Sequence, residues 1–315
     1  MAKTYEPNVT IITSIYSAKD NFLLDIAKSV KNQIYSGKVT HIFINDNTKN
    51  PRKVKGLNIV NNEKNIGLAS TLNKGFRMAK TEIVVSLMDD CLPSSNNWLK
   101  ELVSPLSDKS IAATTSKVEM PLEFWKSFSF FARALTEKEQ RVIIPGLDEK
   151  GCAYRVSALR EFGFLDDKNF RNGGEDTDLT VKIESSPKWI IRKTSAKIYH
   201  YHYFSFKSRM KKEIQYARLS GLVSRKYFFK LPLNFKLSSS VREISFLFLI
   251  YSIFSMSMLL PSTILFVLIS NIRLPFQVKR LLPDLRIIVL PIVNLYLSML
   301  YSINYIYALL LKPTV

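Results

Sequence analysis

The sequence predicts an α/β domain built on a mostly parallel sheet, followed by a basic segment and apolar C-terminal helices. Short β-branched runs alternate with helical patterns through the first two hundred residues, as βα units around a parallel sheet do. Two adjacent carboxylates, Asp89 and Asp90, stand directly after one of the strand-like runs. Beyond residue 202 the composition changes, first to a cationic stretch and then to long uncharged runs.

The elements follow in order. Val9–Ile15 reads as a strand and Asn21–Asn32 as a helix whose apolar positions are Leu24, Ile26 and Val30. Strands are expected at His41–Ile44 and Leu57–Val60, a helix at Leu68–Ala79, and a fourth strand at Ile83–Leu87. A helix at Asn97–Leu106 and a fifth strand at Ile111–Val118 complete the regular part. The aromatic run Phe124–Leu135 lacks strand alternation and reads as a core helix, or as a lip over a site or a membrane-touching element. From Gly151 the pattern resumes with a short strand, a helix start near Ser157, and a loop from Gly163 to Gly174. A helix at Glu175–Ile183 and strands at Trp189–Arg192 and Ala196–Tyr199 close the domain.

The charge is distributed unevenly. The 315-residue chain has 45 Lys+Arg against 26 Asp+Glu and is 47% hydrophobic, which excludes a disordered, collagen-like or disulfide-scaffold protein. Residues 1–202 carry 30 basic and 23 acidic groups, residues 203–242 carry 10 and 1, and residues 243–315 carry 5 and 2. Three regions are therefore expected: a domain over 1–202, a basic amphipathic interface segment over 203–242, and a transmembrane region over 243–315. Two uncharged runs, 244–270 and 287–311, are 27 and 25 residues long, against the roughly 20 that a helix needs to cross the hydrocarbon core. Tyr301, Tyr305, Tyr307 and Lys312 suit an interfacial anchor. Basic residues flank both ends of the first run, and Pro261 within it would permit a bend or re-entrant hairpin, but two simple crossings are the default expectation. A cationic segment directly before apolar runs fits an anionic lipid surface better than a nucleic acid, so no nucleic acid is expected as a partner.

The N-terminal apolar run Val9–Ile15 is too short for a signal-peptide core, so the first domain is expected in the cytosol at the membrane. Cys91 and Cys152 have no metal-ligand spacing and read as reduced thiols.

The chemistry concentrates between Asn65 and Pro93, NIGLASTLNKGFRMAKTEIVVSLMDDCLP. A Gly-containing loop leads into a helix, then a strand, then Asp89 and Asp90 at the strand's end, where open α/β sheets bind ligands. Paired carboxylates there can hold a hard divalent cation that bridges to diphosphate oxygens; the same Asp-Asp before a Pro is also a turn signal.

Asn65, Gly67, Leu68, Ala69, Asn73, Gly75, Asp89 and Asp90, with GGEDTDL at Gly173–Leu179, resemble the family 2 glycosyltransferases. The resemblance spans residues 8–203 and implies a GT-A fold, a Rossmann-like sheet, and hexosyl transfer from a nucleotide-diphospho-sugar donor. It implies that Asp90 binds a divalent metal, Mn²⁺ or Mg²⁺. The first position of the family's Asp-x-Asp form is Met88 here, which leaves Asp89 to face the sugar or ribose. Asp176 is implied as the catalytic base of an inverting reaction, with Gly174 and Glu175 on the acceptor side. Ser14, Tyr16, Asp46, Asn65 and Gly67 are implied on the donor side, with Asp46 at the nucleobase. His200, one of two histidines at alternating positions in YHYHYFS, is expected on the metal, imidazole being suited to Mn²⁺. The apolar tail points to a lipid-linked acceptor. A catalytically inactive sugar-nucleotide-binding subunit and a basic membrane-surface or nucleic-acid-binding protein are the alternative readings.

Overall fold

The computed structural model describes residues 5–140, 146–227, 229–230 and 233–311. The chain runs through β1 (Val9–Ile15), α1 (Asp20–Lys31), β2 (Val39–Asn45), β3 (Ile59–Asn61), α2 (Leu68–Met78) and β4 (Ile83–Leu87). It continues through β5 (Cys91–Pro93), α3 (Trp98–Val103), β6 (Ile111–Glu119), α4 (Leu122–Lys126) and α5 (Phe130–Thr136). Then come β7 (Gly151–Arg155), α6 (Val156–Glu161), α7 (Glu175–Glu184) and β8 (Ile190–His200). Helices follow to the end: α8 (Phe206–Tyr227), α9 (Leu233–Tyr251), α10 (Met256–Ser270), α11 (Leu274–Leu281) and α12 (Leu290–Leu311). The chain falls into two compact units, Met1–Pro121 with Arg141–His202, and Leu122–Gln140 with Tyr203–Val315.

The first unit holds an 8-stranded sheet in the order β3-β2-β1-β4-β7-β6-β8-β5. Strands β3, β2, β1 and β4 are mutually parallel, and β6 is parallel to β8. β7 is antiparallel to both β4 and β6, and β5 to β8, so the sheet is mixed. Because β7 reverses between β4 and β6, the outer pair β6 and β8 runs in the same direction as β1 and β4. The C-terminal ends of β1, β2, β4 and β8 therefore share one edge, and β7 begins there.

Strand periodicity explains the two cores. Along β1, Ile11 and Ile15 face one side with Leu23, Ile26 and Val30 of α1, while Ile12 faces the other with Leu72 and Phe76 of α2. The face of α1 is Leu23, Ile26 and Val30, at i, i+3 and i+7; Leu24 is rotated away and half exposed, contrary to the sequence expectation. The expected helix over Asn97–Leu106 ends as α-helix at Val103 and continues as a 3₁₀ turn over Ser104–Ser107, where Pro105 has no N–H to extend the ladder. The two strands expected near the end of the domain are one strand, β8, whose pairing with β6 shifts register twice.

α2 lies close to the sheet because Gly75 has no side chain: a Cβ there would meet Ile12 Cγ2 at 2.4 Å.

In the second unit the aromatic run is two short helices, α4 and α5, with Trp125, Phe128 and Phe130 buried. The first uncharged run, expected as one crossing or a hairpin, is split between α9 and α10 at Ser252–Ser255 rather than bent at Pro261. Leu285–Leu311 is the one described helix long and apolar enough to cross a membrane, with a second if α10 and α11, bent by 42°, count as one span.

Gly75→Ala is expected to destabilise the protein by ~1–3 kcal/mol through overpacking, outweighing the ~1 kcal/mol helix-propensity gain of alanine. Thermal and denaturant unfolding of the full chain checks this; an unchanged or raised midpoint would show that α2 is not held in contact with Ile12.

Candidate active site

The shared edge of the sheet collects most of the expected site residues. β4 ends at Leu87 and the chain turns through Asp89 and Asp90 into β5. β5 has no counterpart among the expected strands: it is only three residues long and contains Pro93, which fits its place at the sheet edge. Its register sets the site. Cys91 pairs with His200, and the Tyr201 N–H donates to the Asp90 carbonyl at 2.8 Å, so the Asp90 side chain is held beside the end of β8.

Asp90 Oδ2 lies 3.2 Å from His200 Nε2 and 2.9 Å from His202 Nδ1. Burial pushes the Asp90 carboxyl up, but hydrogen bonds and charge from the two imidazoles outweigh it and hold the group well below the usual carboxylate range. Both histidines thus meet the acid, where the sequence points to His200 alone. Asp90, Cys91 and His200 form a cluster with ligand atoms within 4.8 Å of one another. Cys91 is fully buried, and burial together with the Asp90 charge keeps its thiol protonated; it donates to Asp90 Oδ1 at 3.3 Å. Asp90 and His200 thus bring a carboxylate and an imidazole within 4.8 Å of one another, a mixture that suits Mn²⁺ better than Mg²⁺, which favours an all-oxygen shell.

Asp89 plays a different part. Its Oδ2 accepts the backbone N–H groups of Tyr16, Ser17 and Ala18 at 2.9, 3.1 and 3.0 Å. Burial and the adjacent Asp90 charge raise its pKa, opposed by these three donors. The carboxylate that the resemblance sends toward the sugar is thus engaged in fixing the loop after β1. Ser14 is buried within β1, whereas the Tyr16 side chain is 59% exposed and its carbonyl accepts from Asn47 Nδ2 at 2.9 Å.

Asp46 is likewise turned inward. Its Oδ1 accepts from Ile66 N and Asn62 Nδ2, both at 2.9 Å, and its Oδ2 from Gly67 N at 2.8 Å. The residue expected at the nucleobase clamps the loop that opens α2. Asn65 donates to the Asp46 carbonyl at 3.1 Å and accepts from Arg171 Nη2 at 2.7 Å. Gly67 has φ +87°, and a Cβ there would lie 2.4 Å from Arg171 Cγ, so both backbone angle and space demand glycine. Asn73 bonds both backbone groups of Leu165, its Nδ2 to the carbonyl at 2.9 Å and its Oδ1 to the N–H at 3.0 Å. Asn65 and Asn73 tie α2 and the loop before it to the 163–174 loop. Arg171 carried no sequence signal.

That loop delivers Gly174, at φ 88°, to the N-terminus of α7, where Glu175, Asp176 and Asp178 complement the helix dipole. Glu175 is buried, and Asp178 pairs with Lys182 at 2.7 Å. Asp176 is partly exposed, and burial followed by the Asp148 charge raises its pKa to about 6, against the pull of the Thr177 N–H and Lys150. The 146–150 segment leading into β7 packs here: Leu147 N donates to Thr180 Oγ1 at 3.0 Å, and Thr180 Oγ1 donates to the Asp176 carbonyl at 2.8 Å. Asp148 pairs with Lys150 at 3.0 Å. Buried Glu149 accepts from the Tyr154 hydroxyl at 2.7 Å and has its pKa raised to about 8, first by burial and also by Asp176. The acidic run before β7 is the sequence signal that could have located these two residues.

Residues 10–163 match the family described as Glycosyl transferase family 2. No curated protein matches the sequence. Among solved structures the fold is similar to the mannosyltransferase PcManGT from Pyrobaculum calidifontis in complex with GDP-Man and Mn²⁺, at 17% identity and TM-score 0.57, covering 98% of this chain and 88% of that one. It is also similar to GalNAc-T7 with UDP, GalNAc and Mn²⁺, at 14% identity and TM-score 0.52, covering 76% and 51%.

Asp89→Ala should release the Tyr16–Ala18 amides and destabilise the protein by about 1–3 kcal/mol, the cost of leaving buried donors unmade. Asp89→Asn, which keeps one acceptor oxygen, should recover part of it. Hydrogen exchange at residues 16–18 is the readout, and unchanged protection in the alanine variant would refute the clasp.

Proposed function

We propose a single reaction for this chain, which carries a glycosyl transferase family 2 domain and is a glycosyltransferase drawing on a nucleotide-sugar donor: inverting transfer of a hexosyl group to a lipid-linked acceptor at the cytosolic membrane face. The convergence of Asp90, His200 and His202 at the strand edge carries this reading, with Asp176 at the start of α7 as the basic group. PcManGT and GalNAc-T7 were each seen with Mn²⁺ and a nucleotide or nucleotide sugar, which supports the same ligand class here.

Asp90, His200 and His202 would hold Mn²⁺. A bound Mn²⁺ supplies positive charge to the departing diphosphate. Tyr16 offers its exposed ring to the nucleobase, while Asp89 and Asp46 act as positioning residues that fix the loops around the donor; Ser14, Asn65 and Gly67 support the same loops. Gly174 and Glu175 shape the acceptor side. The acceptor oxygen bonds to the anomeric carbon as the bond from that carbon to the diphosphate oxygen breaks, its electron pair leaving with the diphosphate. The acceptor is a hydroxyl of a lipid-linked glycan, and its proton passes to Asp176. With its pKa raised to about 6, Asp176 is mostly ionised at neutral pH yet basic enough to accept a proton. Residues 203–242, with 10 basic groups to 1 acidic, and the apolar helices after them hold the enzyme on anionic lipid, which brings it to a membrane-borne acceptor.

A panel of UDP-, GDP- and dTDP-sugars with membrane lipid and Mn²⁺ should release nucleotide with one donor class, and Asp176→Asn should lower the rate about 10²–10⁴-fold. Silence across the panel, or an unimpaired Asn variant, would contradict the mechanism. The rate should fall below about pH 6 as Asp176 protonates. Asp148→Asn removes a charge that raises that pKa, so the acid limb should move to lower pH; an unmoved limb would assign it to another group. His200→Ala and His202→Ala should each weaken Mn²⁺ binding at least about tenfold in equilibrium dialysis, and unchanged affinity in both would exclude them as ligands.

A further inference from the structure

The apolar surface of the C-terminal unit lies on its outside and is arranged against crossing a bilayer. α9 and α10 are consecutive helices whose joint carries strongly exposed apolar side chains, Ile253 at 71%, Phe254 at 84% and Met256 at 77%. From Ile244, directly after Glu243, to Phe254 the apolar arm rises only about 15 Å, half the hydrocarbon thickness of about 30 Å. A hairpin of that length enters one leaflet and returns.

α10 and α11 count as one apolar span only across a 42° bend, and charge on α11 works against it. α11 carries Lys279 and Arg280, and Arg280 Nε lies 3.4 Å from Glu137. Its buried Gln277 donates to the Ala134 carbonyl at 3.1 Å and accepts from Asn294 of α12 at 2.9 Å.

α12 is long enough to span, but charge meets its inner face from its middle to its end. The Arg242 guanidinium lies 3.6 Å from the centre of the Tyr301 ring, at mid-helix, and pairs with buried Glu243 at 2.8 Å. Arg218 donates to Asn304 Oδ1 at 3.0 Å, and Arg225 to the Leu310 carbonyl at 2.9 Å. The outer face of the Leu285–Leu311 segment exposes Ile288, Ile292, Tyr296, Ile303 and Leu310 in a stripe at helical spacing. A crossing α12 would carry the Arg242–Glu243 pair to the bilayer centre and Arg218 close to it, where ionised groups are expensive. Lying in the membrane plane, the same helix puts its stripe on the acyl chains and the cations of α8 at headgroup level.

We infer that the C-terminal unit is monotopic: it inserts the α9–α10 tip and the outer stripe of α12 into one anionic leaflet, and the chain never crosses. The inference rests on the membrane reading above and specifies its form.

The test uses the full chain in sealed phosphatidylglycerol/phosphatidylethanolamine vesicles. Flotation with the vesicles comes first; failure to float removes the membrane reading itself and this inference with it. For protein that floats, Ile34→Cys marks the side of the catalytic domain, while Leu285→Cys, just ahead of α12, and Leu311→Cys, its last residue, mark the two ends of the Leu285–Leu311 segment. All three are expected to react with an impermeant maleimide from the same side, and a nitroxide at Phe254→Cys should report a depth within one leaflet. Labelling of either α12 end only after the vesicles are opened, while Ile34→Cys reacts beforehand, would overturn the inference in favour of a crossing helix without touching the membrane reading.

Discussion

The pairing of β5 with β8 is the constraint on which the site depends. Cys91 stands opposite His200, so the carboxylate before one strand and the imidazoles at the end of the other meet without any long loop to position them. Asp90 is buried enough to cost free energy as an anion, and the two imidazoles together with the Cys91 thiol supply the compensating interactions. Such a cluster gains most from a cation, which would replace hydrogen bonds among the three side chains with bonds to itself. The parallel direction of β4 and β8, enforced by the reversed β7 between them, makes this meeting possible.

Around this centre, acidic residues do two kinds of work. Asp46 and Asp89 are turned toward backbone N–H groups and hold the loops after β1 and before α2. Asp90 and Asp176 instead carry shifted pKa values, one pushed down by imidazoles and one up by burial and Asp148. The direction of each shift follows from its neighbours and suits the role proposed for each residue, since a ligand should stay ionised and a base should bind a proton near neutral pH. Buried Glu149, bonded by Tyr154, is a further acidic group that feels the Asp176 charge.

Much of this was legible in the residues. The alternation of apolar runs located β1 and β4 to the residue, and the strand-end position of Asp89 and Asp90 followed from βα logic. What the sequence hid was hydrogen-bond direction. Asp46, Asp89 and Asn65 look like ligand contacts in one dimension, but their partners are backbone groups of Ile66, Gly67 and the Tyr16 loop and the side chain of Arg171, tens of residues away. β5 escaped notice because three residues ending in Pro carry no periodicity. His200 and His202 were visible as an alternating pair, yet only the β5 register shows that both reach Asp90. In the C-terminal unit, hydropathy counted uncharged residues correctly but could not see that Arg242, Arg218 and Arg225 from preceding helices fold back onto α12.

The chemistry at Asp90 is tested most directly by pulsed electron paramagnetic resonance of Mn²⁺ bound to the full-length protein. Two imidazole nitrogens coupled to the ion are expected, one lost in His200→Ala and the other in His202→Ala. A Mn²⁺ signal with no nitrogen coupling in the unaltered protein would mean an all-oxygen shell and would contradict the arrangement in which β4, β5 and β8 build the site together.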